Sequence, residues 1–169
     1  EKFINLDIKQ LHNPFLLPDA QKAIDRLNRA LDNKEKIFVW GDYDVGGITS
    51  TAIVVTALKK MGAILEYKVP HRMEDGYDIK IHSVDEALRQ ESKLLMSVDC
   101  GIVAFETADY AKKCGLDLII TDHHHPSDDG KLPDCLAVVN PNRDDPEYPG
   151  EHFKEYTKEG FKRYPRSEE

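Results

Sequence analysis

The sequence predicts an α/β fold: a mainly parallel sheet with helices on both faces. Three observations carry that expectation. Short, almost wholly apolar runs read as strands, longer segments closed by lysine and glycine read as helices, and the two alternate along the chain. A strand buried on both faces loses the apolar/polar alternation of a half-exposed sheet, and crossover helices are what bury it twice.

Taken in order, a helical lead-in covers residues 11–32. Within it PDAQKAIDRLNRAL (18–31) sets Ala23, Leu27 and Leu31 on one helix face, with Pro18 and Asp19 suited to the first turn. KIFVW (36–40) is a buried strand that runs into GDYDVGG, a glycine turn. ITSTAIVVTALKKMG (48–62) is a helix whose two lysines suit the negative end of the helix dipole and whose Gly62 stops it. AILEYKVP (63–70) is the next strand. The order then repeats with strand KLLMSVD (93–99), helix VAFETADYAKKCG (103–115), strand LDLIITD (116–122) and strand CLAVVNP (135–141). No element is assigned between 71 and 92. The domain is expected to span 1–149. Residues 150–169, dense in charge and aromatics and poor in aliphatics, read as a charged C-terminal tail, either loosely packed or carrying a peripheral helix over 152–162.

The 169 residues are 40% hydrophobic and 32% charged with a mean hydropathy of -0.54, an ordinary soluble composition for one domain. No apolar run reaches the length of a membrane span, and EKFINLDIKQ lacks the features of a signal peptide. The first residue is not methionine, which fits a piece of a longer protein. A net charge of -8 weighs against a general polyanion binder but not against a nuclease, whose bound cations offset acidic side chains. Cys100, Cys114 and Cys135 are odd in number and form no C-x-x-C pair. That weighs against a disulfide framework or zinc knuckle, fits a reducing cytoplasmic setting, and leaves the cysteines as small apolar fillers.

Ligand groups in parallel sheets collect beyond the carboxyl ends of the strands. Three acidic clusters fall there: Asp42 and Asp44 after the first strand, Asp99 in SVDCG, and Asp122 in TDHHHP. Singly, each has a plainer reading as a turn or cap residue. Together, carboxylates and imidazoles without thiolate suit a hard or borderline divalent cation, Mn2+ or Mg2+, and phosphoester hydrolysis. Two other motifs fail on the residues. Gly47 stands where a P-loop needs lysine, and Ile53 stands where a calcium loop needs its last carboxylate. Gly46 and Gly47 could still offer backbone N–H groups to a phosphate at a helix start. His12, His71, His82 and His152 read as structural or surface residues.

PFLLPDAQKAIDRL, IFVWGDYDVGGITSTA, VPHRMEDGY, SVDCGI, IITDHHHP and LPDCLAVVNPN, over roughly 11–148, resemble the DHH phosphoesterases and, within them, the RecJ-type single-strand DNA exonucleases. The resemblance implies a parallel α/β domain followed by a second, substrate-binding domain, and Mn2+- or Mg2+-dependent phosphodiester hydrolysis from the 5′ end of single-stranded DNA. It implies that Asp42, Asp44, Asp99 and His123 are metal ligands, with Asp99 bridging two ions. It places His124 at the scissile phosphate, oriented by Asp122, and Arg72 in HRMEDGY on a substrate phosphate.

Departures from the family pattern set further expectations. The first motif ordinarily reads Asp-x-Asp-x-Asp-Gly, and here its third acid is Gly46. A later aspartate and the second domain are absent from the chain. Weak, single-site metal binding and slow or absent turnover follow. Two alternatives stand beside the nuclease: a catalytically degenerate scaffold that binds DNA or a repair or replication partner, and a phosphatase of the same superfamily acting on small molecules or short oligonucleotides.

Overall fold

A computed structural model describes residues 12–71, 76–143 and 145. The tail 150–169 and Arg72 lie outside the described residues. Five parallel strands, β1 (Lys36–Trp40), β2 (Ile64–Lys68), β3 (Leu94–Val98), β4 (Asp117–Thr121) and β5 (Ala137–Val139), form one sheet in the order β2-β1-β3-β4-β5. The helices are α1 (Ala20–Asp32), α2 (Val45–Lys60), α3 (Ile81–Arg89) and α4 (Phe105–Lys113), preceded by a 3-10 turn at Pro14–Leu16.

Successive strand residues point to opposite faces, and each face has its own core. Phe38, Trp40, Leu95, Leu118 and Ile120 pack with Val84 and Ala87 of α3 and with Ala108 and Ala111 of α4. Ile37, Val39, Leu94, Met96 and Ile119 pack with Ala23 and Ala30 of α1 and with Val55 and Leu58 of α2. All five residues of β3 are buried, as an unbroken apolar run requires. β2 departs from the expectation of uniformly buried strands. It lies at the sheet edge and leaves Ile64 and Tyr67 about half exposed. Among the described residues no helix is long and apolar enough to cross a membrane.

Four local differences from the sequence reading have physical causes. α3 occupies a stretch to which the sequence reading assigns no element. Its core face rests on the small residues Ser83, Val84 and Ala87, while the larger Ile81 and Leu88 stay partly exposed. The parallel strands β2 and β3 require a crossover of a dozen residues or more, and that requirement, with Ile81, Val84, Ala87 and Leu88 at helical spacing, was the available signal. α2 begins at Val45, three residues early, because the Asp44 side chain caps it by accepting from the Gly47 N–H at 2.7 Å. Asp19 sits at the start of α1 in a left-handed conformation (φ 58°) without capping it. Its carboxylate instead binds Lys22, the Val138 N–H and the Arg143 guanidinium, tying the lead-in helix to β5. Cys100 is buried as a filler should be, but Cys114 is exposed.

One buried charge pins α1 across the sheet. The Arg26 side chain, 4% exposed, reaches Asp117 at 2.5 Å, Glu35 at 2.7 Å and the Lys93 carbonyl at 3.1 Å. Its acidic partners are partly solvated, so Arg26→Met is expected to cost about 2 kcal/mol rather than the ~3–5 of a fully buried pair. A fall in melting temperature of roughly 4–8 °C in thermal unfolding checks it.

Candidate metal centre

The strand order reverses between β1 and β3, and the acids of the sequence motifs sit at the carboxyl ends of these strands and of β4. A crevice at such a switch point is where open parallel sheets bind ligands. Asp99 ends β3 with a left-handed backbone (φ 65°), and its Oδ1 lies 3.0 Å from His123 Nε2 after β4. Ligand atoms of Asp99, His123 and His124 fall within 4.8 Å of one another. Side chains far apart in the chain therefore meet in one cluster.

Asp122 builds the histidine turn from beneath. Its side chain is 1% exposed, and Oδ1 accepts from the His123 N–H (2.7 Å), the His124 N–H (3.1 Å) and His124 Nδ1 (2.6 Å). Oδ2 accepts from the Ile102 N–H at 2.9 Å, which joins the β4 and β3 loops. Burial opposes protonation of His124, but the Asp122 hydrogen bond and the nearby Asp99 and Asp42 charges outweigh it and raise its pKa.

Asp42 and Asp44 lie beside the cluster rather than inside it. Asp42 is buried, and its Oδ1 accepts from the Tyr43 N–H at 2.7 Å. Burial, together with the Asp44 and Asp99 charges, pushes its carboxyl up. Asp99 is pushed up by burial as well; His123 opposes the shift and Asp44 adds to it.

The two glycines of the motif play different parts. A Cβ on Gly47 would stand 2.4 Å from the Asp42 carbonyl oxygen, so backbone packing demands glycine there. Its N–H donates to Asp44 and is not an open phosphate donor. The nearest atoms to a Cβ on Gly46 would be carboxylate oxygens, Asp99 Oδ2 at 2.4 Å and Asp44 Oδ1 at 3.2 Å. Gly46 thus faces the acidic cluster directly.

Residues not singled out from sequence complete the site. Asn140, fully buried, donates Nδ2–H to the His124 carbonyl at 2.9 Å and accepts from the Asn142 N–H at 2.7 Å. Asn142 in turn donates to the His123 carbonyl. The Asn-Pro-Asn stretch after the last strand was the signal for this brace. Tyr77 packs edge-on against both Tyr43 and His124, with centroids 6.3 and 6.4 Å away. A cavity of about 510 Å³ opens beside the histidines, lined by Tyr77, Asp78, Ile102, His123, His124 and Asn142.

The donor set fits a divalent cation. Three carboxylates and two imidazoles, with no thiolate, are an oxygen-rich set of the kind that Mn2+ and Mg2+ take. Burial is the main lift on Asp42 and Asp99 and the neighbouring carboxylate charges add to it; that added repulsion is what a bound positive charge would relieve.

Comparison with known proteins agrees with this geometry. Residues 36–150 match the model of the DHH family, N-terminal domain. The chain is 36% identical over 153 residues to the single-stranded-DNA-specific exonuclease RecJ of Bacillus subtilis (strain 168), covering 90% of this chain and 19% of that protein. It is 38% identical over 134 residues to RecJ of Escherichia coli (strain K12), covering 79% and 23%. The chain thus spans about a fifth of the length of these curated relatives. A crystal structure of exonuclease RecJ bound to manganese superposes with a TM-score of 0.69 at 37% identity, over 78% of this chain and 33% of that one. RecJ in complex with Mn2+ from Thermus thermophilus gives 0.62 at 34% identity, over 74% and 17%. CDC45 from Entamoeba histolytica shares the fold alone, at 0.52 and 12% identity over 76% and 26%. The family match spans well over half the residues, and the arrangement of acids and imidazoles stands at the strand ends it covers: the chain belongs to the DHH family.

Proposed function

We propose that this chain is the catalytic domain of a metal-dependent phosphodiesterase that acts on single-stranded DNA from its 5′ end. The observation that carries the reading is the Asp99–His123 contact at 3.0 Å, made between two strand ends with His124 in the same cluster. RecJ relatives that share its sequence, and RecJ structures with manganese bound, support it. Asp99 and His123 would hold Mn2+, or Mg2+, with Asp44 and Asp42 beside them. A bound cation supplies Lewis acidity and a water acidic enough to ionise near neutral pH. Asp122 fixes the His124 ring by accepting its Nδ1–H, so the exchangeable site of that imidazole is Nε2. A proton carried on Nε2 would neutralise the leaving oxygen. Tyr77 offers a ring edge at the cavity mouth, and the phosphate contacts expected of Arg72 and of the Gly46 N–H belong to the same proposal. Residues 1–149 would form the domain, with repair or replication proteins as partners in the cytoplasm.

Gly46 favours a second reading, a degenerate domain that binds DNA or a partner with little turnover, because the position facing Asp99 and Asp44 carries no ligand. Manganese titration separates the two, followed by hydrolysis of 5′-labelled single-stranded DNA and of a dinucleotide by the chain and by Asp99→Asn. The phosphodiesterase predicts Mn2+ binding and slow DNA hydrolysis, with affinity lowered at least ~10-fold and hydrolysis lost in Asp99→Asn. Faster cleavage of the dinucleotide than of DNA would indicate the phosphatase alternative. Binding of Mn2+ without any hydrolysis would indicate the degenerate domain.

A further inference from the structure

We propose that Gly41 is a positioning residue for the metal centre: its lack of a side chain lets Thr51 of α2 seat against the end of β1, and that seat sets the gap between Asp44 and Asp99. The proposal rests on the reading of these acids as metal ligands and concerns the width of the site rather than its donors.

Three elements meet at Gly41. Its N–H donates to the Lys68 carbonyl of β2 at 3.0 Å, and its carbonyl accepts from the thiol of Cys100, the residue after Asp99, at 3.9 Å. The third element is α2. A Cβ on Gly41 would stand 2.0 Å from Thr51 Oγ1 and 3.3 Å from both Thr51 Cβ and the Gly47 carbonyl oxygen. Thr51 is 2% exposed, and among the described residues its hydroxyl has no hydrogen-bond partner, so the contact is one of fit alone. Gly41 does not share the left-handed backbone of Gly62 or Gly101, so space and not conformation calls for glycine here.

The seat reaches the acids through the first turn of α2. Asp44 caps that turn by accepting from the Gly47 N–H at 2.7 Å, and Gly46 within it faces Asp99, whose Oδ2 would lie 2.4 Å from a Cβ there. Asp99 is tied instead to β4, its N–H donating to the Thr121 carbonyl at 2.8 Å. α2 lies on the sheet face where Val55 and Leu58 pack with Ile37, Val39, Leu94 and Met96 of β1 and β3. A close-packed interior transmits an inserted methyl group as a shift of the packed element. A side chain at Gly41 therefore lifts α2 from the sheet, and Asp44 leaves Asp99 with it. A wider pair of acids suits a larger ion: Ca2+ takes oxygen ligands at about 2.3–2.6 Å, Mg2+ at about 2.0–2.1 Å.

Gly41→Ala and the double variant Gly41→Ala/Thr51→Ala in the 169-residue chain test the assignment. Gly41→Ala is expected to melt several degrees below the parent. Calorimetric titration then shows Mn2+ affinity weakened about tenfold, with the ratio of Mn2+ to Ca2+ affinity lowered several-fold. A loss of stability alone would weaken both ions equally and leave that ratio where it was. Truncating Thr51 leaves only the 3.3 Å contacts, so the double variant recovers most of the melting temperature, the affinity and the ratio. Thr51→Ile overfills the same gap from the α2 side and reads the ratio if Gly41→Ala does not fold. A double variant no better than Gly41→Ala overturns the seat. An unchanged ratio overturns the positioning role. Failure of the parent chain to bind Mn2+ overturns the metal reading and the positioning role with it, while the melting temperatures still decide the seat by themselves.

Discussion

Asp122→Ala is expected to lower stability by about 3–4 kcal/mol and to eliminate measurable Mn2+ binding. The side chain is almost wholly buried and accepts four hydrogen bonds, from the backbone N–H of His123, from the backbone N–H and ring Nδ1 of His124 and from the Ile102 N–H. Each buried donor left without a partner costs ~1–3 kcal/mol, and the more exposed histidine amides recover part of that from water. Thermal unfolding should show a melting temperature lower by roughly 6–16 °C. Asp122→Asn is isosteric but brings an NH2 group that faces donors on both sides, so it is expected to recover only part of the loss.

The deficit should depend on pH in a definite direction. The His124 pKa is raised above its ordinary 6.5 in the folded protein. Its contribution to stability is therefore fully present below pH ~6.5 and fades as pH rises through the folded value. Asp122→Ala removes the hydrogen bond responsible, so parent and variant should differ more at pH ~6 than at pH ~8.5. A pH-independent gap in urea unfolding would show that Asp122 acts on the backbone donors alone.

Gly46→Asp is expected to raise Mn2+ affinity about tenfold, ~1.4 kcal/mol, while lowering the stability of the metal-free protein. A side chain there points at Asp99 Oδ2 and Asp44 Oδ1, so without a cation it adds a fourth acid to a repelling group and forces the Asp99 carboxylate to move. With a cation the same carboxylate becomes a ligand, and charge count and ligand number govern the affinity of hard ions. The variant should thus melt below the parent in chelator and gain more from added Mn2+. Gly47→Ala is the contrasting control, because its Cβ runs into the Asp42 backbone and no ion can relieve that clash. Equal Mn2+ affinity in Gly46→Asp and the parent would rule out Gly46 as the missing ligand position.

Much of this protein was legible in its sequence. The strands β1, β3 and β4 showed as apolar runs because burial on both faces is a local demand on each residue. Helix ends showed through lysine and glycine, and the candidate ligand acids through their position just past strands. Position relative to a strand end is itself a local property. The equivalence of Gly46 and Gly47, the burial of β2 and the gap before β3 were misread. In each case the deciding partner lay far away in the chain: Asp99 against Gly46, the sheet edge beside β2, and the β3 face beneath α3.

What the sequence determined by itself was the class of fold, the set of candidate ligands and their family, since these follow from residue type and short-range spacing. Only the tertiary structure decided which of them converge. The order β2-β1-β3-β4-β5 brings Asp99 and His123 into contact, leaves Asp42 and Asp44 beside them, and enlists Asn140 and Asn142 as supports. Strand order is settled by long-range packing, and hydrogen bonds between distant loops follow from it, so no local pattern announces either.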